Sequence, residues 1–317
     1  METIVSVQNL VKRYKDLIAL DHFSLEIQEG EVLGLLGPNG SGKTTAINCM
    51  LALLTIDKGD ITLFGQKMTP TSYAIKQQIG MVPQQVAVFG ELTVQENIDY
   101  FCGLYIAEKA KRRQLVEEAI AFVGLEDFRK FLPRKLSGGL LRRLNIACGV
   151  AHKPRLIILD EPTVAVDPQS RAHILAGIQQ LNRQGATVIY TSHYMEEVEQ
   201  ICTRIVIMDA GRSLAEGTSE SLKQMIKVGE TVRIELAGIS GEDMEVLKGI
   251  PRVYEVTFED GQLTVRSRPG GQNLLRVLDI LQQKEIPFSR VYSDQPTLND
   301  VFLEITGRQL RDGGEAE

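Results

Sequence analysis

The sequence predicts an α/β fold with a mostly parallel sheet at its core, followed by a small α+β domain. Three observations carry that expectation. Val32 to Leu36 is almost wholly apolar, the pattern of a strand buried on both faces of a parallel sheet. Further strand-like runs return at Leu156–Leu159, Thr187–Tyr190 and Ile205–Met208, separated by helical segments, and such alternation gives a parallel sheet. Around Lys223–Gly229 the pattern changes to shorter segments in the order βαββαβ, the split-βαβ arrangement.

Taken in order, Ile4–Leu10 and Phe23–Ile27 alternate apolar and polar residues, as half-buried strands do, and the second turns at Glu29-Gly30. The buried strand Val32–Leu36 feeds a glycine-rich loop. A helix is expected to start near Lys43, with Ala46, Ile47, Met50 and Leu51 on one face. Residues from about Val94 to Lys153 read as helical. In such a sheet the ligand gathers at the strand carboxyl ends. The second domain reads as strand Thr231–Leu236, helix Glu242–Lys248, strands Val253–Phe258 and Leu263–Arg266, helix Asn273–Lys284 and strand Phe288–Tyr292. Asp260-Gly261 is a favoured hairpin turn, because both residues tolerate positive φ. Tyr254, Val256 and Phe258 share one face, and Leu263 and Val265 answer them across the turn. An amphipathic helix, Leu298–Leu303, precedes a polar tail expected to fray from Arg311. The boundaries expected are 1–225, 226–310 and a tail at 311–317.

The 317 residues suffice for about two domains with a full core. A formal net charge of −6 gives no global positive field for nucleic acid or anionic lipid. Lys109-Ala110-Lys111-Arg112-Arg113 reads as one solvated helix face. The 4 cysteines form no C-x-x-C pair, which argues against zinc and disulfides and suits a reducing cytosol. Met1-Glu2-Thr3-Ile4 does not resemble a secretory signal, and no run approaches the ~18 apolar residues of a membrane span. The chain is expected to be soluble, so any membrane spans it works with belong to another chain.

The strongest motif is Gly37-Pro38-Asn39-Gly40-Ser41-Gly42-Lys43-Thr44-Thr45, which fits G-x-x-x-x-G-K-[ST] at every fixed position. Such a loop turns its backbone N–H groups inward as an anion nest, and the following helix points its positive dipole end at the same charge. Lys43 is then expected to reach β- and γ-phosphates and the Thr44 hydroxyl to ligate Mg²⁺. Asp160, after the apolar run Leu156–Leu159, emerges where the triphosphate lies and can hold the magnesium shell. Glu161, one residue on, is placed to polarise an attacking water. Leu136-Ser137-Gly138-Gly139-Leu140 precedes a helical run, so Ser137 suits an N-cap, and the same bare N–H groups suit an anion.

In this order, with Gln84 before Leu136–Leu140 and His193 after Glu161, these motifs resemble the ATP-binding-cassette (ABC) ATPases over roughly the first two-thirds of the chain. The resemblance implies the P-loop ABC ATPase fold, with antiparallel β and α-helical subdomains on the parallel core, and the cofactors ATP and Mg²⁺. It implies that Tyr14 stacks on adenine and that Glu161, His193, Gln84 and Lys43 form the catalytic set. Thr44, Gln84 and Asp160 would serve the metal. Ser137, Gly138 and Gly139 would face the γ-phosphate bound to the opposite subunit, and Asp167 would bridge the two subunits. Two departures stand out: Leu140 and Leu141 are apolar where the family is usually polar or has methionine then lysine, and Ala165 replaces the more usual glycine or serine. Pro296–Arg308 and Tyr194-Met195-Glu196-Glu197 are similar to segments of stand-alone ATPase subunits of prokaryotic exporters. The implied partners are a second copy or a paralogous subunit and a separately encoded polytopic membrane permease, at the cytoplasmic face of the cell membrane. No nucleic-acid partner is expected, because a phosphate-backbone footprint needs clustered Lys and Arg. A GTPase would need an N-K-x-D segment, which is not found. A soluble, non-transporting ABC ATPase usually carries two cassettes, long coiled coils or zinc hooks. An importer subunit would differ in partner rather than chemistry.

Overall fold

The computed structural model describes residues 2–226, 229–269 and 273–307. Their packing forms two compact units, one running to Glu216 and the other starting at Gly217.

The first unit begins with β1 (Thr3–Tyr14) and β2 (Leu17–Gln28), a hairpin longer at both ends than the alternating core suggests. Its tight turn places Lys15 at φ +53° and leaves Tyr14 at the strand tip. Next come β3 (Val32–Leu36), α1 (Lys43–Met50), β4 (Lys58–Leu63), β5 (Gln66–Lys67), α2 (Tyr73–Lys76) and β6 (Ile79–Val82). The helical stretch resolves into α3 (Val94–Gly103), α4 (Lys109–Phe122) and α5 (Gly138–Val150), with short 3₁₀ turns between the last two. Then follow β7 (Leu156–Asp160), α6 (Pro168–Arg183), β8 (Thr187–Ser192), α7 (Met195–Ile201), β9 (Arg204–Asp209) and β10 (Arg212–Gly217).

These strands make two sheets. A 6-stranded sheet has the order β10-β9-β3-β8-β7-β6 and is parallel from β9 through β6. Every residue of β3, β7 and β8 is buried, which explains why those runs lack polar alternation. A 4-stranded antiparallel sheet has the order β2-β1-β4-β5. The apolar face of α1 (Ala46, Ile47, Met50) shares one core with Leu33 and Leu35 of β3 and Val5, Phe23 and Leu25 of the hairpin. A separate core joins α3, α4 and α5 through Val94, Ile98, Val116, Ile120 and Leu144. A reciprocal Thr93–Glu96 capping box fixes where α3 starts.

The second unit holds α8 (Ser219–Met225), β11 (Thr231–Leu236), α9 (Gly241–Lys248), β12 (Val253–Glu259), β13 (Gln262–Ser267), α10 (Leu274–Gln283), β14 (Phe288–Asp294) and α11 (Leu298–Thr306). Its strands form one antiparallel sheet in the order β12-β13-β11-β14, the split-βαβ order. Asp260 (φ +49°) and Gly261 (φ +78°) make the hairpin turn, with Phe258 opposite Leu263 and Val256 opposite Val265. Tyr254 does not join them: a register shift between Val253 and Glu255 breaks the alternation, so Val253 packs against the cluster of Val256, Leu263, Val265, Val277 and Leu281 while Tyr254 is exposed. The sequence pattern puts the boundary at 225/226, whereas α8 belongs to the second unit because it packs on α11. The tail at 311–317, and Arg308, lie outside the described residues.

Candidate active site

The glycine-rich loop leaves β3 at its carboxyl end and enters α1. A Cβ on Gly37 would sit 2.2 Å from the Met208 carbonyl oxygen of β9, so only glycine lets the loop start this close to the sheet. Gly42 turns the chain into the helix at φ +104°. The Lys43 ammonium is buried and donates to the carbonyls of Gly37 (2.8 Å) and Pro38 (3.0 Å). Burial pulls its pKa below the usual lysine value, while the charges of Glu161 and Asp160 oppose that shift. Ser41 Oγ, in the same loop, is buried without a hydrogen-bond partner. A buried orphan hydroxyl in a glycine-rich turn at a helix start fits an anion.

The two acidic residues divide their contacts. Asp160 ends β7, and its carboxylate accepts from the hydroxyls of Thr44 (2.8 Å) and Thr191 (2.6 Å). The Glu161 N–H donates to that same Thr191 oxygen at 2.9 Å, and its backbone takes φ +46°. That bend turns the Glu161 side chain back over the loop. Its Oε2 accepts from Gln84 Nε2 at 2.9 Å, and its Oε1 lies 3.6 Å from Lys43 Nζ and 3.7 Å from His193 Nδ1. His193 at this distance is an electrostatic neighbour, and its Nδ1 has no hydrogen-bond partner. His193 first, and then Lys43, hold the Glu161 carboxyl below its ordinary value against the opposing effect of burial. The carboxylate form, the one that can accept a proton, is therefore favoured at neutral pH.

A cavity of about 520 Å³ opens over this cluster. Tyr14 and Ile18 of the first hairpin, Gly40, Lys43, Thr44 and Thr45 of the loop, and Gln84 and Glu161 line it. Tyr14 is 44% exposed at the cavity's rim, and Lys12 Nζ lies 5.2 Å from its ring centroid. The structure thus brings Tyr14, the loop, Gln84, Asp160, Glu161 and His193 to one place.

Ser137, Gly138, Gly139 and Asp167 do not line this cavity. Ser137 caps α5, accepting from the Leu140 N–H at 3.3 Å, and both Ser137 and Gly138 are exposed. Gly139 is buried against the start of α6, where a Cβ would lie 2.3 Å from Ser170 Oγ and 2.8 Å from Asp167 Oδ2. Asp167 caps α6 by accepting from the Ser170 N–H at 2.9 Å, a bond that lowers its pKa. Ala165 sits at φ +58°, a left-handed conformation that explains why glycine suits this position. Leu140 and Leu141 pack part-buried on the α3–α4–α5 core, so the domain itself absorbs their apolar surface.

Thr191 escaped the sequence reading. It joins the side chain of one acidic residue to the backbone of the next, and the only available signal was a threonine at the carboxyl end of a fully buried strand, next to His193's turn.

A family model described as ABC transporter matches residues 20–164, and one described as ATP-binding protein DrrA1-3-like, C-terminal domain, matches residues 217–306. The linearmycin resistance ATP-binding protein LnrL of Bacillus subtilis (strain 168) is 36% identical over 312 residues, which cover 98% of this chain and 100% of that protein. The Nod factor export ATP-binding protein I of Sinorhizobium fredii is 31% identical over 316 residues, covering 98% of this chain and 88% of that protein. A dimeric ATP-binding cassette, solved in a post-hydrolysis state bound to ADP and Pi, superposes with a TM-score of 0.63 at 28% identity, covering 68% of this chain and 98% of that one.

Proposed function

This chain belongs to the ABC transporter ATPases, and from that premise we propose that it is the ATP-hydrolysing subunit of an exporter, powering substrate movement through a separate membrane permease. Its relatives' names, which speak of drug resistance and of export, support that direction of transport. Among the described residues no helix is long and apolar enough to cross a membrane, which fits a chain held at the cytoplasmic face by a permease. The observation that carries the chemistry is the Glu161 carboxylate, kept ionised beside Lys43, Gln84 and His193 at the mouth of the phosphate loop.

ATP is the substrate. Tyr14 stacks on its base, and the N–H groups of residues 37–45 hold its phosphates. Lys43 exchanges its two carbonyl partners for β- and γ-phosphate oxygens. Glu161 accepts the proton of the attacking water, and His193, whose Nδ1 has no partner, is free to bond the γ-phosphate. The Thr44–Asp160 pair, with Gln84 nearby, suits Mg²⁺, which takes one or two carboxylates and completes its shell with substrate phosphates and water. Bound there, Mg²⁺ would supply neutralisation of the developing phosphoryl charge.

Ser137, Gly138 and Gly139 lie away from their own chain's cavity at a helix start where Ser137 and Gly138 are exposed, and so suit the γ-phosphate of a second subunit. Asp167 stands beside them. One chain carries every part of both half-sites, so a homodimer is sufficient and a paralogous partner is compatible. Hydrolysis removes the γ-phosphate contact and lets the pair open, and exposed Gln84 links that change to the permease through the segment ending near Asn97.

Glu161→Gln tests the reading. ATP binding is expected to persist while turnover falls by about 10²–10⁴, the usual worth of a general base. Wild-type turnover in that variant would remove Glu161 from the role.

A further inference from the structure

Behind the site lies another buried carboxylate, one that the mechanism above does not use. Glu197, in the first turn of α7, is 3% exposed. One of its oxygens, Oε2, accepts from three hydroxyls: Tyr190 at 2.6 Å, Thr163 at 2.7 Å and Ser192 at 3.2 Å. Its other oxygen lies 3.2 Å from Arg171 Nε. Each partner belongs to a segment that carries a working residue. Ser192 immediately precedes His193, and its Oγ also accepts from the Tyr194 N–H at 2.9 Å, so it shapes the turn in which His193 sits. Thr163 lies two residues after Glu161. Arg171 is on α6, the helix that Asp167 caps, and its guanidinium covers the Tyr194 ring at 4.8 Å while that ring packs on His193 at 4.1 Å.

We propose that Glu197 is a positioning residue for ATP hydrolysis: it locks the His193 loop to the Glu161–Asp167 segment and so holds His193 and Glu161 in register. The proposal rests on the reading of Glu161 and His193 as working groups. A carboxylate suits the post because it only accepts, and three O–H donors converging on one oxygen leave no room for an amide N–H there. Burial, helped by the Glu197 charge, pushes the Tyr190 phenol well above its ordinary pKa and keeps it a donor. Glu196, next to it in sequence, is exposed and makes none of these bonds, so charge at the start of α7 alone does not explain the arrangement.

The test is a double-mutant cycle on the full chain. Glu197→Gln keeps the volume but turns an N–H₂ toward either the hydroxyls or Arg171. Turnover at saturating ATP is expected to fall by up to about 10²-fold, the cost of misplacing a reacting group by around an ångström, with the ATP dissociation constant changed less than about 3-fold. In a His193→Ala background the same substitution is expected to cost less than about 3-fold, because its effect passes through His193. Arg171→Met, at a side chain 34% exposed, gives the same cycle if Glu197→Gln does not fold. Equal fold-losses in both backgrounds, a loss confined to KM, or unchanged turnover would overturn the proposal. The cycle compares ratios of rates, so a wrong assignment of Glu161 as the base, seen as full activity in Glu161→Gln, would leave those ratios interpretable.

Discussion

His152 makes the first unit acid-sensitive in a window where carboxylates are silent. It follows α5, and its ring stacks on Tyr105 at 3.8 Å and 7°. Nε2 meets the Ile79 carbonyl at 3.2 Å, and since a carbonyl only accepts, the ring proton is on Nε2. Nδ1 is buried with no partner, so a second proton would place a donor, and a charge, where nothing receives it. Burial accordingly depresses the pKa from 6.5 to about 4, only partly opposed by the bond to Ile79. The unfolded chain then binds a proton that the folded chain refuses, so stability is full above pH 6.5, falls as pH drops, and levels off below about pH 4. At about 1.4 kcal/mol per unit the whole shift is worth about 3 kcal/mol, of which about 2 kcal/mol is lost between about pH 7.5 and pH 5. His152→Gln can donate to Ile79 through its amide but cannot ionise. Urea unfolding of both proteins across that range is expected to show the variant losing about 2 kcal/mol less than the wild type. Parallel stability curves, or an imidazole titrating near 6.5 in NMR, would refute the reasoning.

Other predictions follow from the site. Tyr14→Ala is expected to weaken ATP binding by about 1–3 kcal/mol, the worth of one base stack, with turnover at saturation little changed; an unaltered dissociation constant would place the base elsewhere. Ser137→Arg puts bulk and charge at an exposed helix start, so ATP-dependent dimer closure, followed by light scattering, is expected to vanish while monomer binding persists. Dimers forming as before would show that Ser137 does not face a second subunit. Gly139→Ala drives a methyl to 2.3 Å from Ser170 Oγ and is expected to cost about 1–3 kcal/mol in thermal unfolding, a loss that a wild-type midpoint would exclude.

Which parts were legible follows from what each residue touches. Runs buried on both faces have no polar alternation to confuse, so β3 and β7 could be read almost to the residue. The second unit was legible because its period-2 strands meet at Asp260-Gly261, a turn that states its own geometry. Helix α8 was not, because within it only Leu222 is buried, and one apolar contact does not say which unit the helix serves. The phosphate loop, Asp160 and Glu161 were legible as local motifs. Their long-range contacts were not: Gln84, named only through the resemblance, reaches Glu161 across 77 positions, and Thr191 reaches Asp160 across 31. Glu197 closes the segment Tyr194-Met195-Glu196-Glu197, but sequence carries no sign that it, rather than Glu196, turns inward.

Those long-range contacts also explain why the backbone after β7 holds its shape. Glu161 and Ala165 both lie in the left-handed region, at φ +46° and +58°, where a side chain costs about 1–2 kcal/mol per residue. Between them Thr163 is buried and tied to Glu197, while the Glu161 N–H is tied to Thr191. The two bends are therefore pinned at one end and in the middle, and strain of this size persists only where neighbours over-determine it. The same segment runs on to Asp167, whose carboxylate caps α6 and packs where a Cβ on Gly139 would go. A single short stretch thus carries the proposed base for one nucleotide at one end and, at the other, braces the segment proposed to meet a second. Slack introduced at Ala165, Thr163 or Glu197 would loosen both ends together, whereas a change at Thr44 or Lys43 would touch only the near one.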